Sequence, residues 1–442
     1  MTVLIIGGVA AGMSAASKIK RENKDVEVIV LERGGEVSYG ACGLPYYVSG
    51  VNPHEDLLRI RKAEAFIASG IDLRLYHEAV KVDADNKRVL VKDLKQNTEY
   101  EQTYDQLVIA TGADAIKPNL PGINLPGVMT LKSIPEARAM KEALAAAGDT
   151  VAVIGGGYIG LEMVEALLHL GKKVVLFEMM DRLLVNFDIE ISTLVYDHLI
   201  EKGVEIHLGE GVESFIGEER VQAVKTGKGE YPVDLAVLSI GVRPNTAFVR
   251  DTGINMLRNG AIVTDEYMRT SLKDVYAAGD CATVRHRLTG KDVFIALGTN
   301  ANKQGKYVAQ TILGKPTAFN HCLGTAMIKV CDVELGRTGL SEAEAQAEGI
   351  PYGTSLVTSA NHAPYYPDPQ KITIKLVYEK ESKRLLGAQL VGGPGAALRT
   401  NVYAAWITLG GRADEMEEVD FGYAPPFAMP WDVMHIAAGR VK

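Results

Sequence analysis

The run Val3-Leu4-Ile5-Ile6-Gly7-Gly8-Val9-Ala10-Ala11-Gly12 decides the fold of this 442-residue chain. A short apolar stretch ends in a turn rich in glycine and alanine, and small residues continue into a helix predicted over 13–21. A second apolar stretch, 26–31, ends at Glu32, which lies 20 residues after Gly12. Strand, glycine turn, helix, strand and acid at this spacing predict a dinucleotide-binding βαβ unit. The glycines would let a pyrophosphate approach the helix N-terminus, and Glu32 would accept hydrogen bonds from ribose hydroxyls.

The same pattern recurs 148 residues later in the chain. The apolar stretch 151–154 runs into Gly155-Gly156-Gly157-Tyr158-Ile159-Gly160, a helix is predicted over 161–170, and a strand over 174–177 ends at Glu178. The repeat predicts two dinucleotide sites. The alternative is one functional site and one decayed copy, but the second copy has its complete set of glycines. The first copy is the irregular one, because Val9 occupies the position of the usual middle glycine.

Each copy closes with another apolar strand and a glycine, at Ala110-Thr111-Gly112 and at Gly241. Further along, a strand ends at Gly279-Asp280, where the acid is placed either to bind the ribityl chain of FAD or to cap a helix. From about residue 320 the pattern changes to short strands, with helices predicted over 396–409 and 432–438. The predicted fold class is α/β, with two Rossmann-like dinucleotide-binding domains followed by an antiparallel α+β domain suited to self-association.

Composition and charge exclude several classes of function. The net charge of −8 gives no electrostatic reason to expect a nucleic-acid partner, and no apolar run is long enough to span a membrane. The four cysteines lack the paired spacing of a zinc site or of a secreted disulfide framework, so no metal is expected. The chain enters a strand without a basic leader, which favours a cytoplasmic protein.

The order of the motifs adds a family resemblance. Along the chain come the first glycine turn, a lone cysteine at Cys42, Ala-Thr-Gly, the second glycine turn, Ala-Gly-Asp and the α+β domain. Over essentially its whole length the chain resembles the flavoprotein pyridine nucleotide-disulfide reductases. The resemblance implies a homodimer. It also implies a two-part FAD-binding domain over 1–113 and 245–320, an NAD(P)H-binding domain over 114–244 and a dimerisation domain over 321–442.

The resemblance assigns cofactor contacts to two sets of residues. FAD is expected to contact Gly7, Gly8, Ala10, Ala11, Gly12, Glu32, Arg33, Ala110, Thr111, Gly112, Gly279, Asp280 and Thr299. NAD(P)H is expected to contact Gly155, Gly157, Tyr158, Ile159, Gly160, Glu162, Glu178 and Gly241. Because Glu178 would repel a 2′-phosphate, NADH is the expected nucleotide, although nearby Arg182 leaves room for NADPH. Glu162 matches a family glutamate near the nicotinamide; otherwise it is a carboxylate on a helix face.

Cys42, within Ser38-Tyr39-Gly40-Ala41-Cys42-Gly43-Leu44-Pro45-Tyr46-Tyr47, indicates the branch of the family. Members with a redox disulfide carry a second cysteine five positions on, where this chain has Tyr47, so it resembles the single-cysteine branch. Oxygen- and peroxide-reducing members carry a histidine in the first glycine turn, where this chain has Ala10. The motifs Ala363-Pro364-Tyr365-Tyr366-Pro367 and Tyr423-Ala424-Pro425-Pro426-Phe427 resemble coenzyme A disulfide reductases. The alternative for Cys42 is a small structural residue.

The predicted function is FAD-dependent reduction of coenzyme A disulfide, or of a coenzyme A persulfide or polysulfide, by NAD(P)H. Cys42 would form a mixed disulfide with coenzyme A, as a thiolate favoured by its place at the N-terminal end of a helix predicted from Gly43. Tyr365 and Tyr423 correspond to tyrosines that the family brings to the cysteine across the dimer, where either would donate a proton to the leaving thiolate. Two alternatives stay open: an NADH oxidase or peroxidase using a Cys42 sulfenic acid, and an NADH-dependent electron-carrier reductase.

Coenzyme A is polyanionic, so its site should contain basic residues. Ser14, Lys18 and Arg21 share one face of the first helix, and the resemblance implies a longer set of contacts: Ser14, Lys18, Arg21, Ser38, Arg61, Lys62, Asn302 and Trp431. Without the resemblance, the basic residues are a solvated helix face. The chain departs from the family at Ser69, where a basic contact is missing, and at Trp431, which replaces a lysine of some members.

Overall fold

The computed structural model describes residues 1–442 and divides into two units. The first unit comprises Met1–Ile116, Lys132–Ala137 and Val242–Cys322, and the second comprises Lys117–Leu131, Arg138–Gly241 and Leu323–Lys442. The helix Ile134–Ala146 begins in the first unit and ends in the second. No helix has the length and apolar character that crossing a membrane requires.

The first unit is built on a five-stranded parallel sheet. In spatial order its strands are Val275–Ala277, Gln106–Ile109, Thr2–Ile6, Glu27–Glu32 and Asp72–Leu75. Leu4 and Ile5, in the central strand, are both 0% exposed. Burial on both faces explains why this strand is a continuous apolar run rather than an alternating one. The acid at the end of the second strand, Glu32, therefore lies at the carboxyl edge of the sheet, beside the glycine turn.

The remaining elements of the first unit surround this sheet. Its other strands are His77–Asp83, Arg88–Asp93 and Thr98–Thr103 in an antiparallel sheet, Ala113–Ala115 paired with Val242–Pro244, and Val284–Arg285 paired with Asp292–Val293. Its helices are Ala10–Glu22, Leu44–Ser49, Ala63–Ile67 and Gly298–Ile312, with 3-10 turns at Ala41–Gly43, Glu55–Leu58 and Ala247–Thr252. The first and last helices cross closely at Gly305, where a Cβ would lie 2.2 Å from the Ala11 carbonyl oxygen.

The second unit repeats the parallel architecture. Its first sheet has the order Glu205–Leu208, Lys173–Glu178, Thr150–Ile154, Leu235–Leu238 and Val128–Thr130, all parallel. The accompanying helices are Tyr158–His169 and Ile189–Glu201, and an antiparallel sheet adds Val212–Ile216, Ala223–Thr226 and Gly229–Pro232. The glycine turn again lies between a central strand and its helix.

The C-terminal part of the second unit contains a five-stranded antiparallel sheet. The strands are, in order, Ala326–Val330, Val333–Gly339, Leu385–Gly392, Lys371–Glu379 and Tyr352–Ala360. The helices are Glu342–Ala347, Ala396–Leu409 and Val433–Ala438, with a 3-10 turn at Glu415–Glu418. The helix Ala396–Leu409 packs tightly on the sheet, because a Cβ at Gly336 would lie 2.0 Å from the Thr400 hydroxyl oxygen.

The predicted fold class is confirmed, with two parallel nucleotide-type sheets and an antiparallel α+β part. The helix predicted over 396–409 has those bounds, whereas the helix predicted over 13–21 extends to Ala10–Glu22. The prediction that a helix opens just after Cys42 is confirmed, although the helix begins at Leu44 rather than at Gly43. Cys42 lies in the 3-10 turn Ala41–Gly43, ahead of the six-residue helix Leu44–Ser49. So short a helix contributes little dipole to a thiolate. The predicted domain boundaries stay a prediction.

Candidate active site

The first glycine turn is required by the packing of the backbone itself. Gly7 has a φ of +109°, and a Cβ there would lie 2.2 Å from the Ala110 carbonyl oxygen. A Cβ at Gly12 would lie 1.9 Å from the Gly7 carbonyl oxygen. Only glycine allows these approaches, so the turn lies directly against Ala110 and the helix Ala10–Glu22. Ala10 and Ala11 are the first two residues of that helix.

Glu32 is held beside this turn by two backbone groups. Its Oε2 accepts a hydrogen bond from the Gly8 N–H at 2.7 Å, and its Oε1 accepts one from the Gly34 N–H at 2.6 Å. A carboxylate oxygen can accept more than one hydrogen bond, so both oxygens keep capacity for ribose hydroxyls. This geometry fits the predicted role of Glu32 with FAD.

The second turn reproduces these contacts. Gly155 has a φ of +107°, with a Cβ position 2.5 Å from the Ser239 carbonyl oxygen, and a Cβ at Gly160 would lie 1.9 Å from the Gly155 carbonyl oxygen. Glu178 accepts hydrogen bonds from the Gly156 N–H at 2.7 Å and from the Met180 N–H at 2.8 Å. The two acids are therefore fixed in the same way, each by one turn glycine and one residue just past the strand.

Gly157 is different, because the protein's own packing does not require it. A Cβ at this position would meet no atom within 4 Å, and its φ of −83° is open to any residue. The open space lies at the N-terminus of the helix Tyr158–His169, where backbone N–H groups attract a phosphate. The site therefore fits a dinucleotide, whose pyrophosphate would occupy the room that a side chain here would fill.

Besides the first glycine turn and Glu32, the predicted FAD site includes Gly279 and Asp280. Gly279 has a φ of +82°, and its N–H donates to the side chain of the buried Gln304 at 2.8 Å. Lys132 Nζ lies 3.5 Å from Asp280 Oδ2. The sequence does not predict Lys132 as a residue of this site, because only folding brings it close to Asp280. The carboxylate and the ammonium group form a polar pair suited to the hydroxyl-bearing, negatively charged FAD.

Three further predicted FAD contacts are polar side chains of the first unit. The Thr111 hydroxyl donates to the Asn245 carbonyl oxygen at 2.6 Å. Arg33 is exposed and donates to Asp114 at 3.0 Å. Thr299 is exposed in the first turn of the helix Gly298–Ile312. Their contacts with FAD stay predictions.

Cys42 is exposed, and the segment before it is fastened to the first glycine turn. Ser38 has a φ of +48°, a left-handed conformation that is uncommon outside glycine. Its N–H donates to the Gly8 carbonyl oxygen at 3.0 Å, and its carbonyl oxygen accepts from the Ile60 N–H at 2.9 Å. A conformation of this kind persists only where the surroundings enforce it, and it concentrates at functional sites.

Predicted coenzyme A contacts lie on the crossing of two helices. The Ser14 hydroxyl donates to Asn302 Oδ1 at 3.0 Å, so the structure brings these two residues together. Lys18 forms an ion pair with Glu22 one turn further along the helix. Arg21 is exposed on the same helix. Of the predicted basic face, Arg21 is therefore the residue most ready for a ligand, because Lys18 already has an anionic partner.

The basic residues near position 60, which include the predicted contacts Arg61 and Lys62, are more constrained than the sequence indicates. Arg59 is bound by Glu36, Glu55 and Asp56, so its charge is neutralised within the protein. The Arg61 guanidinium turns back onto its own segment, 4.2 Å from the centre of the Phe66 ring. Lys62 is exposed.

Tyr365 and Tyr423 come together in the second unit. Their hydroxyl groups form a short hydrogen bond with each other, although 58 residues separate them in sequence. The hydrogen bond between the two hydroxyl groups raises the pKa of Tyr423 above its ordinary value. Both rings are exposed, at 73% and 44%, as is Trp431 at 58%. Such an exposed aromatic group is uncommon on a lone soluble subunit.

The second dinucleotide site contains two further polar groups. The Tyr158 hydroxyl accepts a hydrogen bond from the Asn186 amide at 2.7 Å. Glu162, in the same helix, has its pKa raised to about 7 by burial and, secondarily, by Glu165. Asn186 was missed by the sequence, because nothing in its local pattern distinguishes it from a loop residue.

The other three cysteines differ from Cys42 in exposure. Cys281 is fully buried, and its thiol donates to the backbone carbonyl oxygen of Ile109 at 3.3 Å. Burial raises its pKa. Cys322 is also buried, whereas Cys331 is partly exposed and has its pKa raised to about 11, mainly by burial. Cys42 is therefore the exposed thiol of the chain.

Two dinucleotide folds, one carrying an exposed cysteine on a segment fixed to its glycine turn, define a nicotinamide-dependent flavoprotein oxidoreductase. Sequence profiles agree: that of the pyridine nucleotide-disulphide oxidoreductases matches residues 1–305, and that of their dimerisation domain matches residues 325–433. The chain belongs to the pyridine nucleotide-disulphide oxidoreductase family. It is an NAD(P)H-dependent flavoprotein oxidoreductase with FAD as its cofactor, and the predicted resemblance is confirmed.

Individual relatives include enzymes of two activities. The chain is 39% identical over 444 residues to the CoA-dependent NAD(P)H sulfur oxidoreductase of Pyrococcus abyssi, covering 100% of this chain and 98% of that protein. It is 33% identical over 441 residues to an NADH oxidase of Methanocaldococcus jannaschii, covering 99% and 98%. A solved structure of an NAD-dependent persulfide reductase from A. fulgidus matches with a TM-score of 0.95 and 38% identity, over 99% of this chain and 82% of that one.

Proposed function

We propose that the protein reduces coenzyme A disulfide, or a coenzyme A persulfide, with NAD(P)H through a mixed disulfide between Cys42 and coenzyme A. The proposal rests on two facts together. Cys42 is exposed, and the residue five positions later is not a cysteine but Tyr47, which is only 8% exposed. Tyr47 occupies the position of the second cysteine in members with a redox disulfide. The sulfur that pairs with Cys42 must therefore come from a substrate, and the P. abyssi relative is named for dependence on coenzyme A.

The proposed reaction is a thiol–disulfide exchange followed by a two-electron reduction. The Cys42 thiolate attacks one sulfur of the disulfide, the S–S bond breaks, and the first coenzyme A leaves as a thiolate. When bound, FAD carries the two electrons of NAD(P)H to the mixed disulfide. That bond then breaks, a second coenzyme A thiolate leaves, and the Cys42 thiolate is restored.

The tyrosine pair is suited to protonate the leaving thiolates. One hydroxyl of the pair donates to the other, so the acceptor's own proton remains available to a ligand. The phenol of Tyr423, whose pKa is raised by its hydrogen bond with Tyr365, is protonated at neutral pH, as a proton donor must be. We propose that the pair serves Cys42 of the partner subunit in a homodimer, as the resemblance implies. The match of residues 325–433 to the dimerisation domain supports this assembly.

Coenzyme A would be recognised by the polar crossing at Ser14 and Asn302 and by the exposed Arg21 and Lys62. Lys18 would exchange Glu22 for a phosphate group, since an ammonium group binds both anions similarly. Arg61, Ser38 and Trp431 complete the proposed contacts. For the nucleotide, Glu178 should favour NADH, because a fixed carboxylate accepts from a free 2′-hydroxyl and repels a 2′-phosphate.

An NADH oxidase activity is the second candidate, because the M. jannaschii relative carries that name. Ala10 opposes it, since a methyl group cannot donate a hydrogen bond to a cysteine sulfenic acid. Anaerobic turnover of NADH with coenzyme A disulfide separates the two activities. We expect rapid anaerobic turnover with this disulfide and slow turnover with oxygen alone. Turnover that needs oxygen or peroxide would replace the proposal with the oxidase.

A further inference from the structure

One guanidinium connects three segments of the second unit. Arg399, in the helix Ala396–Leu409, donates from Nε to Asp432 Oδ1 at 3.1 Å and from Nη2 to Asp432 Oδ2 at 2.6 Å. Its Nη2 also donates to the carbonyl oxygens of Asn361 at 3.1 Å and Phe427 at 3.2 Å. The Arg399 and Asp432 side chains are only 12% and 4% exposed. A partly desolvated, bidentate pair of this kind holds its geometry well.

Each of these three segments carries one predicted site residue. Tyr365 follows Asn361 by four residues, Tyr423 precedes Phe427 by four, and Trp431 directly precedes Asp432. All the site residues that the sequence predicts in this unit's C-terminal part therefore lie on segments bound by Arg399. None of the three lies within a helix or a strand, so ladder hydrogen bonds do not fix them.

The connections continue beyond the guanidinium. The Ala363 N–H donates to the Pro425 carbonyl oxygen at 3.3 Å, which joins the two tyrosine segments directly. Asp432 caps the last helix by accepting from the Met434 N–H at 3.0 Å, so the Trp431 end is fixed as well. The hydroxyl contact between Tyr365 and Tyr423 lies on the two segments that this framework joins.

We propose that Arg399 is the positioning residue of the tyrosine pair, binding the two tyrosine segments and the start of the last helix into one arrangement. The inference rests on the proposed function, because it assigns the pair to the reaction at Cys42. A planar guanidinium presents five donors in a fixed fork, whereas a lysine ammonium presents three on a flexible stem. A lysine at this position keeps the charge beside Asp432 but cannot maintain the fork and both carbonyl contacts.

The test compares Arg399→Lys with a matched control in the FAD-loaded protein. Arg412 forms a similar bidentate pair with Asp414, at 3.1 and 2.5 Å, but contacts neither tyrosine segment. Reduction of the enzyme by NADH and its reoxidation by coenzyme A disulfide are measured separately under anaerobic conditions. We expect Arg399→Lys to slow reoxidation by about tenfold to a hundredfold, because misplacement by an ångström is that costly. The reductive step should be unchanged, and Arg412→Lys should match the parent in both.

A double-mutant cycle separates positioning from general stability. Tyr365→Phe with Tyr423→Phe removes both hydroxyls, and adding Arg399→Lys to this pair should then cost less than twofold. The role of Arg399 would be overturned by either of two results. One is that Arg399→Lys slows reoxidation as much in the double phenylalanine variant as in the parent; the other is that the Arg399→Lys single variant reoxidises at the parent rate. If the double phenylalanine variant itself reoxidises at the parent rate, the proposed role of the tyrosines fails, and the positioning role fails with it. Should Arg399→Lys not fold, Asp432→Asn weakens the same charge-assisted bonds and enters the same cycle with the same expected outcomes.

Discussion

The two glycine turns, 148 residues apart, share their backbone contacts and differ in what surrounds them. In both, the first glycine is left-handed, the last glycine packs on the first, and an acid is held by two N–H groups. The glycines and the acid that make these contacts are therefore the same in both copies. The copies differ at Val9 against Gly157, Ala10 against Tyr158, Ala11 against Ile159, Met13 against Leu161 and Ser14 against Glu162.

The segments after the two acids differ more. After Glu32 the chain passes through the left-handed Ser38 to the exposed Cys42. After Glu178 it reaches the buried Asp188, which accepts from Gln389 at 2.6 Å and lies 3.5 Å from the buried Lys375. One copy thus presents a reactive side chain, whereas the other fixes its nucleotide segment to the C-terminal sheet. The two copies therefore share a fold, and the residues in the segment after the acid make their sites different.

Removing the thiol tests the largest of these differences. Cys42→Ser should lower turnover with coenzyme A disulfide by about a thousandfold or more, because no other group can form the mixed disulfide. Reduction by NADH should persist, since it belongs to the second site. Cys331→Ser, at the other thiol that is not fully buried, is the control and should leave both rates unchanged. A Cys42→Ser protein with parental turnover would favour an electron-carrier reductase.

Gly157→Val gives the second turn the residue of the first. A Cβ at this position meets no protein atom within 4 Å, so the protein should fold and keep FAD. The KM for NADH should rise about a hundredfold, because the side chain fills the space reserved for the pyrophosphate. Gly160→Ala should instead affect stability. It should lower the unfolding temperature, because its Cβ would lie 1.9 Å from the Gly155 carbonyl oxygen. An unchanged KM in Gly157→Val would show that the nucleotide does not lie against this turn.

Glu162 should make the stability of the protein depend on pH, whereas Ser14, its counterpart after the first turn, has no group that titrates. Glu162 has its pKa raised from 4.5 to about 7 by burial. The folded state therefore binds a proton that the unfolded state has lost, and the stability of the FAD-loaded protein falls as pH rises from about 4.5 to about 7. Glu162→Gln should remove this loss and stabilise the protein by about 1–3 kcal/mol at pH 8. Denaturant unfolding at pH 5 and pH 8 measures the difference, and the exposed Glu142→Gln should show none of it. Equal gains at both pH values would contradict the cause.

The two fixed acids predict the smallest effect. Glu178→Ala should raise the ratio of kcat/KM for NADPH to that for NADH by about tenfold, because it removes the repulsion of a 2′-phosphate. Glu32→Ala should instead weaken FAD retention and leave the nucleotide ratio unchanged. Steady-state kinetics with both nucleotides and the FAD content of the purified variants measure these outcomes. A changed ratio in the Glu32 variant would contradict the assignment of the two turns.

The parallel halves were predictable from sequence because their signals are local. A glycine turn, its helix and the acid lie within about thirty residues, and their spacing follows from backbone geometry. The two tyrosine motifs were recognised by resemblance, but their hydroxyl contact is a property of the folded chain. Four further residues, Ser38 as a strained position and Lys132, Asn186 and Arg399 as organising side chains, depend on contacts between segments distant in sequence. No local pattern distinguishes such residues from ordinary loop or helix positions.

The basic residues near the proposed coenzyme A site show a second reason why the sequence does not predict the site fully. The sequence counts Lys18, Arg59 and Arg61 as cations, but the structure pairs Lys18 and Arg59 with acids and folds Arg61 onto Phe66. Charge along a helix is visible in a sequence, whereas the partner that neutralises it is not. The departure at Trp431 likewise has a structural setting, its ring edge-to-face with His435 at 5.3 Å, that only the fold reveals.

The mass of the Cys42 peptide shows whether this thiol forms a mixed disulfide with coenzyme A. It is measured on protein purified without reductant and again after anaerobic incubation with coenzyme A disulfide. We expect an adduct of the mass of coenzyme A on Cys42 that is absent from Cys331 and is lost when NADH is added. A Cys42 that carries only oxygen, or remains a bare thiol after the incubation, would contradict it.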